Sequence, residues 1–166
     1  MTYTDIERVN SEITMIDMKG KDYAMVPERV TAFRKLYPEG FIKTDVVFND
    51  ANTGTVMMKA RAGYYRETGE EVILGTGYAQ EIRGRGGIAN STNHVENCET
   101  SAVGRCLGFM GLGLNGGGIC SAEELVNAIT AQEQLKREEK AEIRKLNNAS
   151  ADKDIGGVTM SEKLPV

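Results

Sequence analysis

The chain has 166 residues and carries 20 basic against 24 acidic side chains, a formal net charge of −4 at pH 7. This length suits one folded domain with room for a tail. The acidic balance excludes a protein that coats nucleic acid through its overall charge alone, but a local basic surface is compatible with it, because affinity comes from the few cations near the phosphates. No apolar run of about 18 residues occurs, so we expect no membrane span.

The N-terminal residues and the cysteines indicate the compartment. The first 20 residues are charged and lack the apolar stretch of a signal peptide. The three cysteines, Cys98, Cys106 and Cys120, are an odd number without a C-x-x-C spacing. Because such cysteines are typical of reduced, partly buried thiols, we expect a cytoplasmic protein.

Two helices are predicted in the N-terminal region. The pattern Thr4-x-x-Glu7 is a capping box that opens a short helix to about Ile16. Pro27 suits the first turn of a second helix, PERVTAFRKLY, whose apolar residues recur at helical spacing until Pro38 ends it. A polar joint, MKGKD, separates the two helices.

Three strands are predicted next, over residues 41–49, 55–66 and 71–83. The links between them are too short for helices, so the strands form an antiparallel meander rather than a parallel, doubly wound sheet. The first strand alternates in period two, which places four side chains on one face: Ile42, Thr44, Val46 and Phe48.

Two further helices complete the predicted fold. Asn93 caps a helix from His94 to Leu112, and the capping box Ser121-x-x-Glu124 opens a long, charged helix to about residue 147. The fold class is therefore α+β, a three-stranded antiparallel meander packed by the following helix, with N-terminal helices and a long C-terminal helix. We expect residues 1–147 to form a single domain and residues 148–166 a flexible, polar tail.

The sequence offers little that supports catalysis. His94 is the only histidine and is expected at a helix start, in a capping or surface role. Hydrolase, zincin and Walker motifs do not occur, and two glycine patterns at 84–89 and 111–116 stand in the wrong context for a dinucleotide site. The carboxylates are scattered. We therefore expect no enzyme, no catalytic residues, no cofactor and no metal site.

The helix from His94 to Leu112 has two distinct faces. Two glycines interrupt its interior, at a cost of about 1 kcal/mol each relative to alanine. Either another backbone packs closely on this stripe, or a phosphate backbone approaches it beside an arginine. The predicted core face contains Val95, Cys98, Ala102, Cys106, Phe109 and Met110. The opposite stripe contains Asn97, Ser101, Gly104, Arg105 and Gly108.

The strands supply a second basic surface. In the second strand, Lys59, Arg61 and Tyr65 point one way, whereas Val56, Met58, Ala60 and Tyr64 point the other. Lys43 lies on the polar face of the first strand, and Arg83 and Arg85 end the third. The window from Lys19 to Arg61 holds eight cations and five anions, so charge is polarised along the chain. Such alternation is usually a solvated sheet face; a cationic groove between sheet and helix is the sharper alternative.

Several segments resemble single-strand annealing proteins of the Erf and Sak kind, from phages and mobile elements. These proteins are similar in fold to the annealing domain of the recombination mediator Rad fifty-two, and the resemblance covers roughly residues 18–127. The most specific segment is ENCETSAVGRCLG at 96–108. The supporting segments are KGKDY at 19–23, ERVTAFR at 28–34, YPEG at 37–40, GLG at 111–113 and SAEE at 121–124.

The resemblance implies ATP-independent binding of single-stranded DNA and annealing of complementary strands in recombination and repair, by a homo-oligomeric ring or filament. It implies a bacterial host cell, location at the nucleoid, and a single-strand binding protein or exonuclease as partner. It places Arg105 on the DNA backbone, although Gly104 stands where family members commonly have lysine. We assign the backbone-holding role to Arg105, Lys43, Lys59 and Arg61, outer contacts to Lys19, Lys21, Arg83 and Arg85, stacking to Tyr65 or Tyr64, and close approach to Gly104 and Gly108.

Two other classes of function remain open at this point. One is a protein of the same fold that binds single-stranded DNA or RNA, or assembles with partners, without annealing. The long charged helix could bind such partners. Alternatively it is simply exposed to solvent, since Glu133 and Arg137 are i,i+4 partners of opposite charge. The other is a nuclease, which would need a carboxylate cluster that Glu96 and Glu99 alone do not provide.

Overall fold

The computed structural model describes residues 2–18, 20–85, 91–114, 118–120 and 122–155. The chain separates into two compact units, Met1–Ala131 and Gln132–Val166. The helices are α1 (Tyr3–Asn10), α2 (Val26–Leu36), α3 (His94–Phe109) and α4 (Ala122–Ile155). The strands are β1 (Met15–Asp17), β2 (Asp22–Ala24), β3 (Phe41–Asp50), β4 (Thr55–Tyr65) and β5 (Glu71–Ile82).

The predicted α+β class is confirmed. Strands β3, β4 and β5 form an antiparallel sheet in that order, and α3 packs against β4 and β5. Helix α2 packs against α1 and against α3. The three predicted strands and the helix that follows them agree with the structure to within a few residues, because period-two alternation and turn residues mark their limits.

The N-terminal region differs from the prediction. Helix α1 is capped by Thr2, whose hydroxyl accepts a hydrogen bond from the Asp5 amide at 3.3 Å, while the Asp5 carboxylate accepts one from the Thr2 amide at 2.7 Å. The capping box predicted at Thr4 was therefore wrong, because an equivalent pattern begins two residues earlier. The helix ends at Asn10, and β1 pairs with β2 where a longer helix and a joint were expected.

A bulge changes the face of one aromatic side chain. Val46 pairs with Met58, but the next pair joins Phe48 to Met57, so Val47 is the extra residue in β3. The bulge turns Phe48 to the opposite face of the sheet from Val46. The prediction that Phe48 shares a face with Ile42 was wrong for this reason.

The main core lies between the sheet and α3, whose small side chains permit close packing. Cys98, Ala102 and Cys106 are fully buried against β4 and β5, as predicted for this face. Val95 and Phe109 were placed on the same face, but both are exposed, near the first and at the last residue of α3. Beneath the helix, Gly75 and Gly77 of β5 leave no room for a side chain, which lets the two backbones approach.

We expect Gly77→Ala to destabilise the protein by about 2–3 kcal/mol through overpacking. An added Cβ would lie 2.4 Å from both the Ala102 oxygen and the Cys106 nitrogen, and neither backbone atom can move independently of α3. Urea unfolding measures the change. Thr76→Ala, between the two glycines on the other face, is the matched control and should cost less than about 1 kcal/mol. Equal effects of the two substitutions would contradict the close approach.

The C-terminal part extends further than predicted. Helix α3 ends at Phe109, and Gly111 and Gly113 adopt positive φ angles of 88° and 71° just after it. Helix α4 continues to Ile155, eight residues beyond its predicted end, so the first part of the predicted tail is helical. Residues 156–166 of that tail lie outside the described residues. None of the described helices combines the length and apolar character that crossing a bilayer requires.

Candidate nucleic-acid interface

The face of the sheet opposite α3 collects the predicted basic side chains of the strands. Alternation along β4 buries Met58 and Ala60 on the α3 side and turns Lys59 and Arg61 to the other side, as predicted. Lys43 is the cross-strand neighbour of Arg61. We call this surface the open face. The polar and aromatic residues on this face include Phe41, Lys43, Asp45, Phe48, Lys59, Arg61, Tyr65, Glu71, Thr76, Tyr78 and Gln80.

Aromatic rings lie beside the cations on the open face. Tyr65 and Tyr78 are 46% and 49% exposed, so each ring has a surface available to a ligand. The ammonium of Lys59 lies 5.5 Å from the centre of the Tyr78 ring. The ammonium of Lys43 lies 5.2 Å from the Phe41 ring and 5.6 Å from the Tyr65 ring. Cations and aromatic faces in alternation are the combination that binds unpaired nucleotides.

Two carboxylates balance part of this positive charge. Arg61 donates a hydrogen bond to Asp45 at 2.9 Å, and Lys43 is paired with Glu71. The hydrogen bonds that Lys43 donates to Glu71 and Tyr65 raise the pKa of its ammonium. Both ion pairs are partly exposed, so each contributes little to stability, and a phosphate can replace the carboxylate at small cost.

Arg105 lies on the other side of the sheet. It belongs to α3, which packs against the buried face of β4 and β5, and its side chain is half-buried. The sheet therefore separates Arg105 from Lys59 and Arg61, and within one chain they do not line a common groove. The single groove between sheet and helix expected from the sequence is not formed by one copy of this chain.

The glycine stripe of α3 is filled by protein. Gly104 and Gly108 are buried, and a Cβ at Gly108 would lie 2.8 Å from the Arg29 guanidinium and 3.0 Å from the Ile119 oxygen. Of the two alternatives that the sequence left open, close packing within the chain is the one that accounts for these glycines. A nucleic-acid backbone does not have access to them in this arrangement.

Arg29 is a buried cation that the sequence reasoning did not single out. Its side chain is fully buried, and its guanidinium donates to the carbonyl of Gly104 at 2.6 Å, of Ile119 at 2.7 Å and of Cys120 at 3.1 Å. Longer contacts of 3.5 Å reach the carbonyls of Gly113 and Gly118. A positive charge at the C-terminal end of α3 is favourable because the helix dipole is negative there. Arg29 thus fixes the segment that follows α3.

The outer cations of the prediction are distributed around the first unit. Lys21 is exposed in the turn between β1 and β2, where its backbone pairs with Met18. Arg83 and Arg85 are exposed just after β5, and the Arg83 amide donates to the Gly54 carbonyl in the β3–β4 turn. Lys19 lies outside the described residues. Lys21, Arg83 and Arg85 thus lie in or next to turns and not on the strands that form the open face.

The histidine and cysteines do not form a reactive group in the described structure. His94 is buried rather than at the surface, which corrects the prediction for its side chain. Asn93 stands at the N-cap of α3 as predicted, although its side chain makes no capping hydrogen bond. Burial raises the pKa of Cys98 and raises that of Cys106 to about 11, so both remain thiols at neutral pH. Their role is packing against the sheet.

Tyr78 is an exposed aromatic residue of the open face that was not predicted from the sequence, and Phe48, which the bulge turns to this face, is another. The third strand was predicted to within one residue of its observed limits, but its faces were not assigned. The register pairs Tyr78 with Lys59. Period-two alternation along the strand also places Tyr78 on the face opposite Gly75 and Gly77. A glycine pair at alternate positions of a strand was the available signal for a buried face under a helix.

Comparison with known proteins adds one finding. A family model described as Slr1353 N-terminal dsRNA-binding domain-like matches residues 30–110. This stretch runs from within α2 to just beyond α3 and contains the whole β3–β4–β5 sheet. Helix α1, the β1–β2 hairpin and α4 lie outside it. No curated protein gives a significant match to the chain.

Proposed function

We propose that this protein binds single-stranded nucleic acid on the open face of its sheet and, as an oligomer, anneals complementary strands without ATP. The observation that carries the proposal is that Lys43, Lys59 and Arg61 share one exposed sheet surface with Tyr65 and Tyr78. Binding of nucleic acid in general is also what the family match supports. Annealing in recombination rests on the resemblance to the Erf and Sak proteins.

The exposed rings favour single strands over duplexes as the ligand. Bases in a duplex are stacked on each other, so their flat surfaces are not available to side chains of a protein. Unpaired bases can stack on Tyr65 and Tyr78 while their phosphates replace Asp45 and Glu71 as partners of the cations. Such contacts involve the flat faces of the bases and the phosphate backbone of the strand. We therefore expect binding to depend little on the nucleotide sequence.

Annealing requires more than one copy of this surface. Two strands must lose their mutual repulsion before their bases pair, and two of the three cations on the open face of one copy are already paired with carboxylates. Linked copies bind one strand at several points, which raises the overall affinity without a stronger single site. An oligomer therefore suits this weakly basic surface, in agreement with the rings or filaments that the resemblance implies.

Binding of double-stranded RNA is the second candidate, and the family match favours it specifically. Domains that bind such duplexes recognise mainly their shape, through 2′-hydroxyl and phosphate contacts. They do not need exposed rings that accept unpaired bases. A protein of this kind would prefer an RNA duplex of about 16 base pairs to a single strand of the same length.

Annealing of two complementary fluorescent oligonucleotides without ATP, across a salt series, tests the proposal. Mass photometry on the same sample gives the oligomer size. We expect fast annealing by a large oligomer that fades as salt rises, because phosphate contacts release counterions. Tight binding of single strands without faster annealing would instead support the alternative of a non-annealing binding protein. Preferential binding of duplex RNA would support the second candidate.

A pair of single substitutions tests which face of the sheet carries the contact. We expect Lys59→Gln to weaken binding of single strands and to lower the salt slope by about 0.7, the value for one phosphate contact. Arg105→Gln, on the α3 side, has the same loss of one positive charge and serves as the matched comparison. Fluorescence anisotropy at several salt concentrations measures both. A larger loss of affinity from Arg105→Gln would move the interface to α3.

A further inference from the structure

Between residues 136 and 144, α4 carries its charges in two separate stripes, while Glu133 precedes them on the basic side and Lys145 follows beside the acidic side. At 3.6 residues per turn, Lys136, Arg137, Lys140 and Arg144 fall within an arc of about 100°. Three carboxylates occupy an arc of similar width on the opposite side of the helix. They are Glu138, Glu139 and Glu142. All seven side chains are exposed. We call the first set the basic stripe and the second the acidic stripe.

Like charges at i,i+4 within each stripe are unfavourable for an isolated helix, although opposite charges at i,i+3 in Lys136–Glu139 and Glu142–Lys145 offset part of this cost. Residues four apart are neighbours on a helix, and like charges at that spacing destabilise it. Lys140 follows Lys136 and precedes Arg144 at this spacing, and Glu138 and Glu142 repeat the arrangement in the acidic stripe. Glu133 and Arg137 form an opposite pair at the start of the segment. Within described residues 132–145, no ion pair within 4.0 Å links the stripes.

We propose that the basic stripe is a second phosphate-binding surface, separate from the open face, which takes the backbone of a nucleic-acid strand. Its partner follows from charge complementarity, since four exposed cations along one line match a line of phosphates. From Lys136 to Arg144 the stripe is about 12 Å long. Phosphates of a strand in duplex geometry rise about 3.4 Å each along the axis while they wind around it, so neighbouring phosphates are further apart than this and the stripe can contact more than one of them. The proposal rests on the function proposed above and extends it to α4.

An exchange of two charges in the full chain tests this proposal. The double substitution Glu138→Lys with Lys140→Glu keeps the net charge and mixes the two stripes. It also converts the like-charge neighbours at i,i+4 into opposite pairs, so the helix content measured by circular dichroism should stay the same or rise. We expect the affinity for a 30-nucleotide single strand to fall roughly tenfold and the salt slope to fall by at least about 0.7, the value for one phosphate contact.

A second exchange serves as the matched control. Glu133→Lys with Lys136→Glu swaps the same two residue types, but both positions lie on the basic side of α4. The number of cations in that arc is therefore unchanged. We expect an affinity and a salt slope equal to those of the unmodified protein. Equal losses from the two exchanges would overturn the proposal, because the arrangement in stripes would then have no effect.

Failure of this proposal is distinguishable from failure of the proposed function. If the unmodified protein binds single strands and the exchange at 138 and 140 leaves its affinity and salt slope unchanged, the basic stripe does not bind phosphate. If the exchange instead reduces the oligomer mass at unchanged affinity of the remaining oligomer, the stripe contacts protein and the proposal is overturned. If the unmodified protein binds no nucleic acid at low salt, both proposals fail.

Discussion

Replacing Tyr65 and Tyr78 together by leucine is expected to weaken binding of single-stranded oligonucleotides by at least about tenfold, since stacking on an aromatic ring contributes about 1–3 kcal/mol per base. Leucine retains most of the apolar surface but has no flat ring for a base. Both side chains are about half exposed, so the fold should tolerate the change. Fluorescence anisotropy with a labelled single strand measures the loss, and thermal unfolding reports on the fold.

Two sets of variants make this result specific. Tyr65→Phe with Tyr78→Phe keeps both rings and should retain most of the affinity, because stacking does not need the hydroxyl. Tyr3→Leu removes a ring that is 74% exposed on α1, away from the sheet, and should leave binding unchanged. If the leucine pair binds single strands as well as the unmodified protein does, the open face does not stack bases. An equal loss for duplex RNA would also contradict the stacking mechanism.

The largest effect on stability is expected from Arg29→Met, which should destabilise the protein by about 3–5 kcal/mol. Methionine fills much of the space but removes every hydrogen bond that the guanidinium donates to the segment after α3. Buried carbonyls without donors are costly, and the change is a large share of the roughly 5–15 kcal/mol that stabilises a domain. Urea unfolding followed by circular dichroism measures it.

A conservative variant and a surface variant complete this experiment. Arg29→Lys keeps the positive charge but has a compact ammonium in place of the planar fork, so it should recover only part of the stability. Lys35→Met on the same helix removes an exposed ion pair with Glu12 and should leave the unfolding midpoint close to that of the unmodified protein. An Arg29→Met protein with an unchanged unfolding midpoint would show that the carbonyl cluster does not depend on Arg29.

The elements with strong periodicity were predictable from the sequence. The three strands of the sheet and α3 follow from alternation, turn residues and helical spacing, and the faces of β4 follow from the same alternation. The short β1–β2 hairpin was not predictable in this way, because three residues per strand give too little periodicity to detect. The bulge at Val47 was not predictable either, since the residue types do not show which position of β3 lacks a partner in β4.

The candidate site was predictable only where it lies on one element. Lys59, Arg61 and Tyr65 share a strand, so alternation alone places them together. Arg105 and the strand cations are on different elements, and only the packing of α3 shows which side of the sheet each occupies. The burial of Arg29 also depends on tertiary structure, because its carbonyl partners lie 75 to 91 residues further along the chain. Local pattern contains no information about such distant partners.

The distance along the chain between Arg29 and its partners has a consequence for synthesis on the ribosome. Helix α2 is synthesised before its partners, because the carbonyls of Gly104, Ile119 and Cys120 follow Arg29 by 75, 90 and 91 residues. Asn10 also depends on partners that are synthesised much later, because its side-chain amide donates to the Gly111 carbonyl and accepts from the Gly113 amide. At about 5–20 residues per second, the N-terminal helices wait several seconds for these partners. During that interval the nascent chain carries an arginine without its final environment, so we infer that docking of α1 and α2 is a late, cooperative event that follows completion of α3.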